Sequence, residues 1–312
     1  MCKFLSTKKG IFAILLILIL GIGVYFSITK IGQYLYIKEV EQKNTETIKE
    51  VKDQFTPQNT SPDKNSPANS SETGSTIPNK DSSNNISSIS TESTSPKQTN
   101  TPPNQSTSIN QANTATDQPN VSKTEPATSA YLEVPFITQA PLETTKNWEL
   151  HENSCEEAAV LQAYLYESGQ TMTKEEANTE ILKMIDWEIK NLGGHNDLYA
   201  DGVRGFINGY YGIPLDKIEV VYDANIDDIK KFINQKHPVI VPIMGDILKN
   251  PFYPYPGYHM LVVTGYTKDR IITNDNGTKH GKDFTYDNET FLKAMQAAGG
   301  DIVMIKTKTT NS

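Results

Sequence analysis

HENSCEEAAVLQAYLYESG, residues 151–169, contains one of the two cysteines of this 312-residue chain, the other being Cys2 at its start. Its first four residues are polar and unsuited to a strand. From Cys155 onward Ala158, Leu161 and Leu165 recur at helical spacing, and Gly169 supplies a stop. Cys155 therefore falls at the start of a helix. There the free backbone N–H groups and the helix dipole favour a thiolate. Glu156 and Glu157 oppose this, because carboxylates beside a thiol raise its pKa unless an imidazolium offsets them. A free cysteine is also among the most commonly buried packing residues. The rest of the sequence has to decide between a nucleophile and a packed side chain.

Downstream, TKEEANTEILKMIDWEIKN opens on a capping box, Thr173 with Glu176. DGVRGFINGYYG predicts a third helix, and NIDDIKKFINQ a fourth with Asn225 as N-cap. Strands then dominate: IEVVY, PVIVPIM, HMLVVTGY, RIITND, KDFTY and DIVMIKTK, with the helix NETFLKAMQAAGG before the last. YLEVPFITQAP reads as an extended lead-in. Helices first and strands later predict an α+β domain over residues 130–308.

Five histidines fall in this domain: His151, His195, His237, His259 and His280. Only His259 leads directly into a strongly apolar strand, where a polar residue is unusual. The next strand ends in Asn274 and Asp275, and the hairpin returns it toward His259, so either residue can orient the imidazole. Side chains alternate faces along a strand. A two-residue loop at Lys268 and Asp269 puts Asn274 on the His259 face, and a longer loop puts Asp275 there; both stay open. Gln139, 16 residues before Cys155, can supply an oxyanion donor together with the Cys155 backbone N–H. His195 lies in a loop that can line a cleft, and His151 can shield the cysteine. NPFYPYPGY, beside His259, is either a surface connection or a wall of a peptide-binding cleft. No histidine pair has the spacing of a zinc helix and there is no Cys-x-x-Cys, so neither metal nor cofactor is expected.

The N-terminus has a different character. Lys3, Lys8 and Lys9 precede an uncharged apolar run, residues 10–29. This predicts an uncleaved single-pass membrane anchor with residues 1–9 in the cytosol and the remainder extracytoplasmic. Bulky Tyr25, Phe26 and Ile28 stand where a cleavage site would need small residues. Residues 30–129 form a stalk and a Ser/Thr/Asn/Pro-rich linker, expected to be disordered from about Lys43 to Thr128 because large apolar residues are nearly absent. A flexible tether of that length spans roughly 50 Å and reaches into a cell wall. From Ala130 on there are 17 basic and 26 acidic residues, which argues against nucleic acid as a partner.

Taken in order, VPFITQAP, NSCEEAAVLQAYLY, PVIVPI, YHMLVVTGY and ITNDNGT resemble the papain-like cysteine peptidases, in particular the bacteriocin-processing, double-glycine leader peptidase family and its stand-alone bacterial relatives. The resemblance implies N-terminal helices packed on an antiparallel sheet. It implies Cys155 as nucleophile, His259 as general base, Asp275 rather than Asn274 as its orienting partner, and Gln139 at the oxyanion hole. It implies a peptide or protein substrate. The family commonly carries Cys-Gly-Pro at the nucleophile, whereas this chain has Cys-Glu-Glu. Glu156 and Glu157, with His195, are therefore expected to read the substrate, or else to mark a site that has lost its chemistry. The rival functions are a peptidoglycan amide or peptide hydrolase and an inactive surface-binding module on the same fold.

Overall fold

The structure is a computed structural model that describes residues 8–55, 128–253 and 257–308. In chain order the helices and strands are α1 (Lys8–Phe55), β1 (Ala130–Tyr131), α2 (Thr145–His151), α3 (Cys155–Ser168), α4 (Lys174–Asn191), α5 (Ala200–Tyr211), β2 (Ile218–Val221), α6 (Ile226–Asn234), β3 (Val239–Met244), α7 (Gly245–Leu248), β4 (Tyr258–Tyr266), β5 (Arg270–Asn274), β6 (Phe284–Asp287), α8 (Asn288–Ala297) and β7 (Ile302–Ile305). The fold is α+β: the strands form one sheet in the order β2-β7-β3-β4-β5-β6, antiparallel throughout, with β1 added to β4.

The helix caps are those expected. Thr173 and Glu176 bond reciprocally at the start of α4, and Asn225 with Asp228 at the start of α6. α3 ends at Gly169 in the left-handed conformation, with φ +69°. α3 differs from an ordinary surface helix because it is buried on nearly every side, lying against β3, β4 and β7 and against α4 and α5. Ala158, Leu161 and Leu165 are fully buried, and so are Glu157 and Gln162. Each such Leu contributes about 1.5–3 kcal/mol by leaving water. The start of α3, and Cys155 with it, is thereby fixed against β4. The short helix α2 was not anticipated. It is capped by Thr144, whose side chain accepts from Asn147 N.

The N-terminal region requires a correction. α1 runs on to Phe55, through residues that the composition assigned to a disordered tether. Val40, Asn44, Ile48 and Val51 recur at three- and four-residue spacing and make one face that meets the domain. Val51 is fully buried, Asn44 Oδ1 accepts from Thr285 N at 3.0 Å on the edge strand β6, and Lys52 pairs with Asp283 at 3.0 Å. Asn44 thereby satisfies a backbone donor on the open edge of the sheet. The expected anchor, residues 10–29, falls within the backbone course of α1, but the side chains of 10–28 lie outside the described residues, as does the linker segment 56–127. Among the described residues, no helix is long and apolar enough to cross a membrane.

The β4–β5 hairpin settles the choice between Asn274 and Asp275. Thr267 N bonds Arg270 O at 2.8 Å, closing a two-residue loop at Lys268 and Asp269. Regular pairing from that loop would place Asn274 opposite Val263, on the His259 face. The register instead slips between Val263 and Gly265: Val263 faces Thr273, Gly265 faces Ile272, and Thr264 is left over as a bulge. Asn274 therefore pairs with Val262, on the other face, and Asp275 returns to the face of His259. Asn274 turns to the lead-in segment, where its Nδ2 donates to Val134 O at 3.1 Å.

β1 presses against the bulge. A Cβ on Gly265 would come within 2.6 Å of Ala130 O and 3.1 Å of Tyr131 Cα. Both are backbone atoms that cannot swing away. Gly265→Ala is expected to push β1 off β4 and to cost about 1–3 kcal/mol, read from the midpoint of urea unfolding. A variant as stable as the parent would contradict this packing.

Candidate active site

Cys155, His259 and Gln139 line one open cleft, and Asp275 lies behind His259, fully buried. Cys155 is the first residue of α3, His259 the second of β4, and Asp275 follows β5 directly. Asp275 Oδ1 accepts from His259 Nε2 at 3.1 Å and from Gly277 N at 3.2 Å. Its Oδ2 accepts from Asn250 Nδ2 at 3.0 Å, from Tyr253 Oη at 2.6 Å and from Tyr286 Oη. Burial alone would raise this carboxyl. The bond and charge of His259, with the two phenols, outweigh burial and hold it below its ordinary value. Asp275 is thus a charged, fully coordinated carboxylate that fixes the imidazole through Nε2 and leaves Nδ1 for a partner on the cleft side.

Of the two readings of the NPFYPYPGY loop, the structure has the wall: Tyr253 and Tyr258 line the cleft, and residues 254–256 of that loop lie outside the described residues. Other residues of the site were not anticipated. Tyr286 gave no sequence signal, and Asn250 was read only as the first residue of that loop. Gly277 admits the imidazole, since a Cβ there would come within 2.9 Å of His259 Cε1. Asn276 ties the two halves of the site together: its Nδ2 lies 3.0 Å from both Cys155 O and Met260 O. Trp148 of the unexpected α2 and Asp197 complete the rim.

Gln139 reaches the cleft, but its two amide hydrogens are donated to His151 O at 3.0 Å and Glu152 O at 2.9 Å. One of these bonds has to open before Gln139 can serve an oxyanion.

Glu156, Glu157 and His195 do not line the cleft, contrary to the expectation that they read the substrate. Glu156 and Glu157 are buried because they stand in the first turn of a helix enclosed on all sides. Glu156 lies behind the thiol: Cys155 Sγ donates to its Oε2 at 2.9 Å, and Leu198 N donates to its Oε1 at 3.0 Å. Burial, and then the charge of Glu156, pushes the Cys155 thiol well above its ordinary value. Burial pushes Glu156 itself up to about 7, against the two bonds that favour its charged form. Glu157 turns inward to His195, with Oε1 2.7 Å from Nε2. That proximity raises the imidazole pKa against the opposing effect of burial.

A family model described as the Peptidase_C39-like family matches residues 131–303. No curated protein sequence matches the chain. Among solved structures, a protein of Bacillus anthracis described as a C39-like peptidase is 16% identical; the match covers 58% of this chain and 98% of that one, at a TM-score of 0.42.

Glu156→Gln keeps the shape beside the thiol and removes the negative charge. The charge raises the thiol pKa, so its removal should lower that pKa, with about tenfold more thiolate at neutral pH for each unit. Alkylation of the chain by iodoacetamide, followed against pH, should accelerate and its profile move to lower pH. An unmoved profile would show that Glu156 does not control the thiol.

Proposed function

The chain belongs to the Peptidase_C39-like family, and from that premise we propose that it hydrolyses peptide bonds through Cys155, with His259 as general base and Asp275 orienting the imidazole. The observation that carries this reading is the His259–Asp275 bond, buried at the back of the same cleft that Cys155 lines. In the proposed reaction the Cys155 thiol passes its proton to His259 Nδ1 as Sγ attacks the scissile carbonyl carbon. Asp275 stabilises the imidazolium that results. The backbone N–H of Cys155, at the N-terminus of α3, and the released amide of Gln139 receive the oxyanion. The imidazolium then protonates the leaving amine, and water resolves the acyl-enzyme to acid and free thiol. The Glu156 bond holds the thiol protonated at rest, so substrate has to displace it before attack.

We further propose that α1 is a single-pass anchor and that the domain acts outside the membrane on peptides or proteins, within reach of a cell wall. The lysines before the apolar run support this orientation. Ile31, Tyr34, Leu35 and Tyr36, just past the run, are all about half exposed or more, which suits a membrane–water interface. A second reading, a peptide-binding module without turnover, has one observation in its favour: the thiol is occupied by Glu156.

The full chain in detergent, incubated with fluorogenic peptides and with purified peptidoglycan, separates the readings. Peptide cleavage is expected, falling about a thousandfold or more in Cys155→Ala and His259→Ala and less in Asp275→Ala. Undiminished cleavage in Cys155→Ala overturns the proposal. Peptide binding without cleavage favours the binding module, and release of fragments from peptidoglycan alone favours the cell-wall hydrolase.

A further inference from the structure

We propose that Glu157, Glu188 and His195 form a binding site for one divalent transition-metal ion of the zinc or manganese type, behind the cleft and separate from it. One ligand atom from each residue lies within 4.8 Å of the others. The three come from the first turn of α3, the last turn of α4 and the loop that joins α4 to α5. Glu157 is fully buried and Glu188 is 1% exposed. Neither oxygen of Glu157, nor Oε1 of Glu188, nor Nε2 of His195 makes a hydrogen bond.

The histidine geometry separates this group from an ordinary ion pair. His195 Nε2 lies 2.7 Å from Glu157 Oε1, and unsatisfied polar atoms of three residues thus meet at one place. A neutral imidazole with Nε2 unprotonated presents a lone pair at that atom, through which a histidine can ligate a metal.

Charge leads to the same conclusion. Two buried carboxylates need compensation, and one imidazole supplies at most a single positive charge. Two carboxylate oxygens and one imidazole nitrogen suit zinc or manganese, and the imidazole disfavours calcium. The ion would join α3, α4 and the loop carrying Asp197 and Leu198. Asp197 lines the cleft, and Leu198 bonds both Glu156 and Tyr258. A bound ion would therefore brace one wall of the cleft without touching substrate.

The test uses the full chain, stripped with a chelator and titrated calorimetrically with zinc, manganese or calcium chloride, with melting followed in parallel. One zinc or manganese ion per chain is expected, with a rise in melting temperature. Even residues that merely support ligands cost 10–100-fold when changed, so Glu157→Gln and Glu188→Gln should lose about a hundredfold or more in affinity. His195→Ala, in a loop, should lose affinity comparably while its far-UV circular dichroism without metal matches the parent, which covers the case in which a buried Glu variant fails to fold. Absence of binding, binding of calcium alone, or binding unchanged in His195→Ala would overturn the proposal.

Discussion

The bond between His259 Nε2 and Asp275 Oδ1 depends on one unpaired residue, Thr264. Without that bulge the two-residue loop at Lys268 and Asp269 would carry Asn274 to the His259 face, and a neutral amide would stand where the carboxylate does. The same bulge receives the lead-in segment. Leu132 N bonds Thr264 O at 2.7 Å, and Gly265 leaves room for β1. The lead-in then carries Gln139 to the cleft, where Gln139 N bonds Asn276 O at 2.9 Å. One local irregularity thus places Asp275 on the His259 face and receives the lead-in segment that carries Gln139 to the cleft.

Two buried acids in this site are held in opposite ways. Asp275 receives hydrogen bonds on both oxygens and stays charged although it is fully buried. Glu156 has only a thiol and one backbone N–H, which do not outweigh its burial, and it titrates near neutrality. The first arrangement favours a charged carboxylate beside His259. The second places a carboxyl against the Cys155 thiol. In the proposed reaction these act on the base and on the nucleophile, and Leu198, which bonds Glu156, belongs to the loop bordering the cleft.

The features readable from the sequence were local ones. Cys155 at a helix start, the capping boxes at Thr173 and Asn225 and the order of the strands each follow from spacing and residue type within a few positions. The features that were not readable depend on pairing or enclosure. The bulge exists only between two strands, so parity along one of them could not choose between Asn274 and Asp275. Glu156 and Glu157 look like surface charges until α4 and α5 close over α3. Tyr286 reaches Asp275 from a distant position with no pattern of its own, and nothing in the NPFYPYPGY stretch marks Asn250 as a second partner of that carboxylate. The part of α1 from about Lys43 to Phe55 was missed because its polar composition resembles the linker, and only the three- and four-residue spacing of Asn44, Ile48 and Val51 marks the face that packs.

The most direct measurement of the central claim is covalent labelling of the full chain by a peptidyl acyloxymethyl ketone, with the labelled residue located by mass spectrometry. A nucleophile activated by His259 predicts a single adduct on Cys155 in the parent and its loss in His259→Ala. Equal labelling of Cys155 in both proteins would contradict the account.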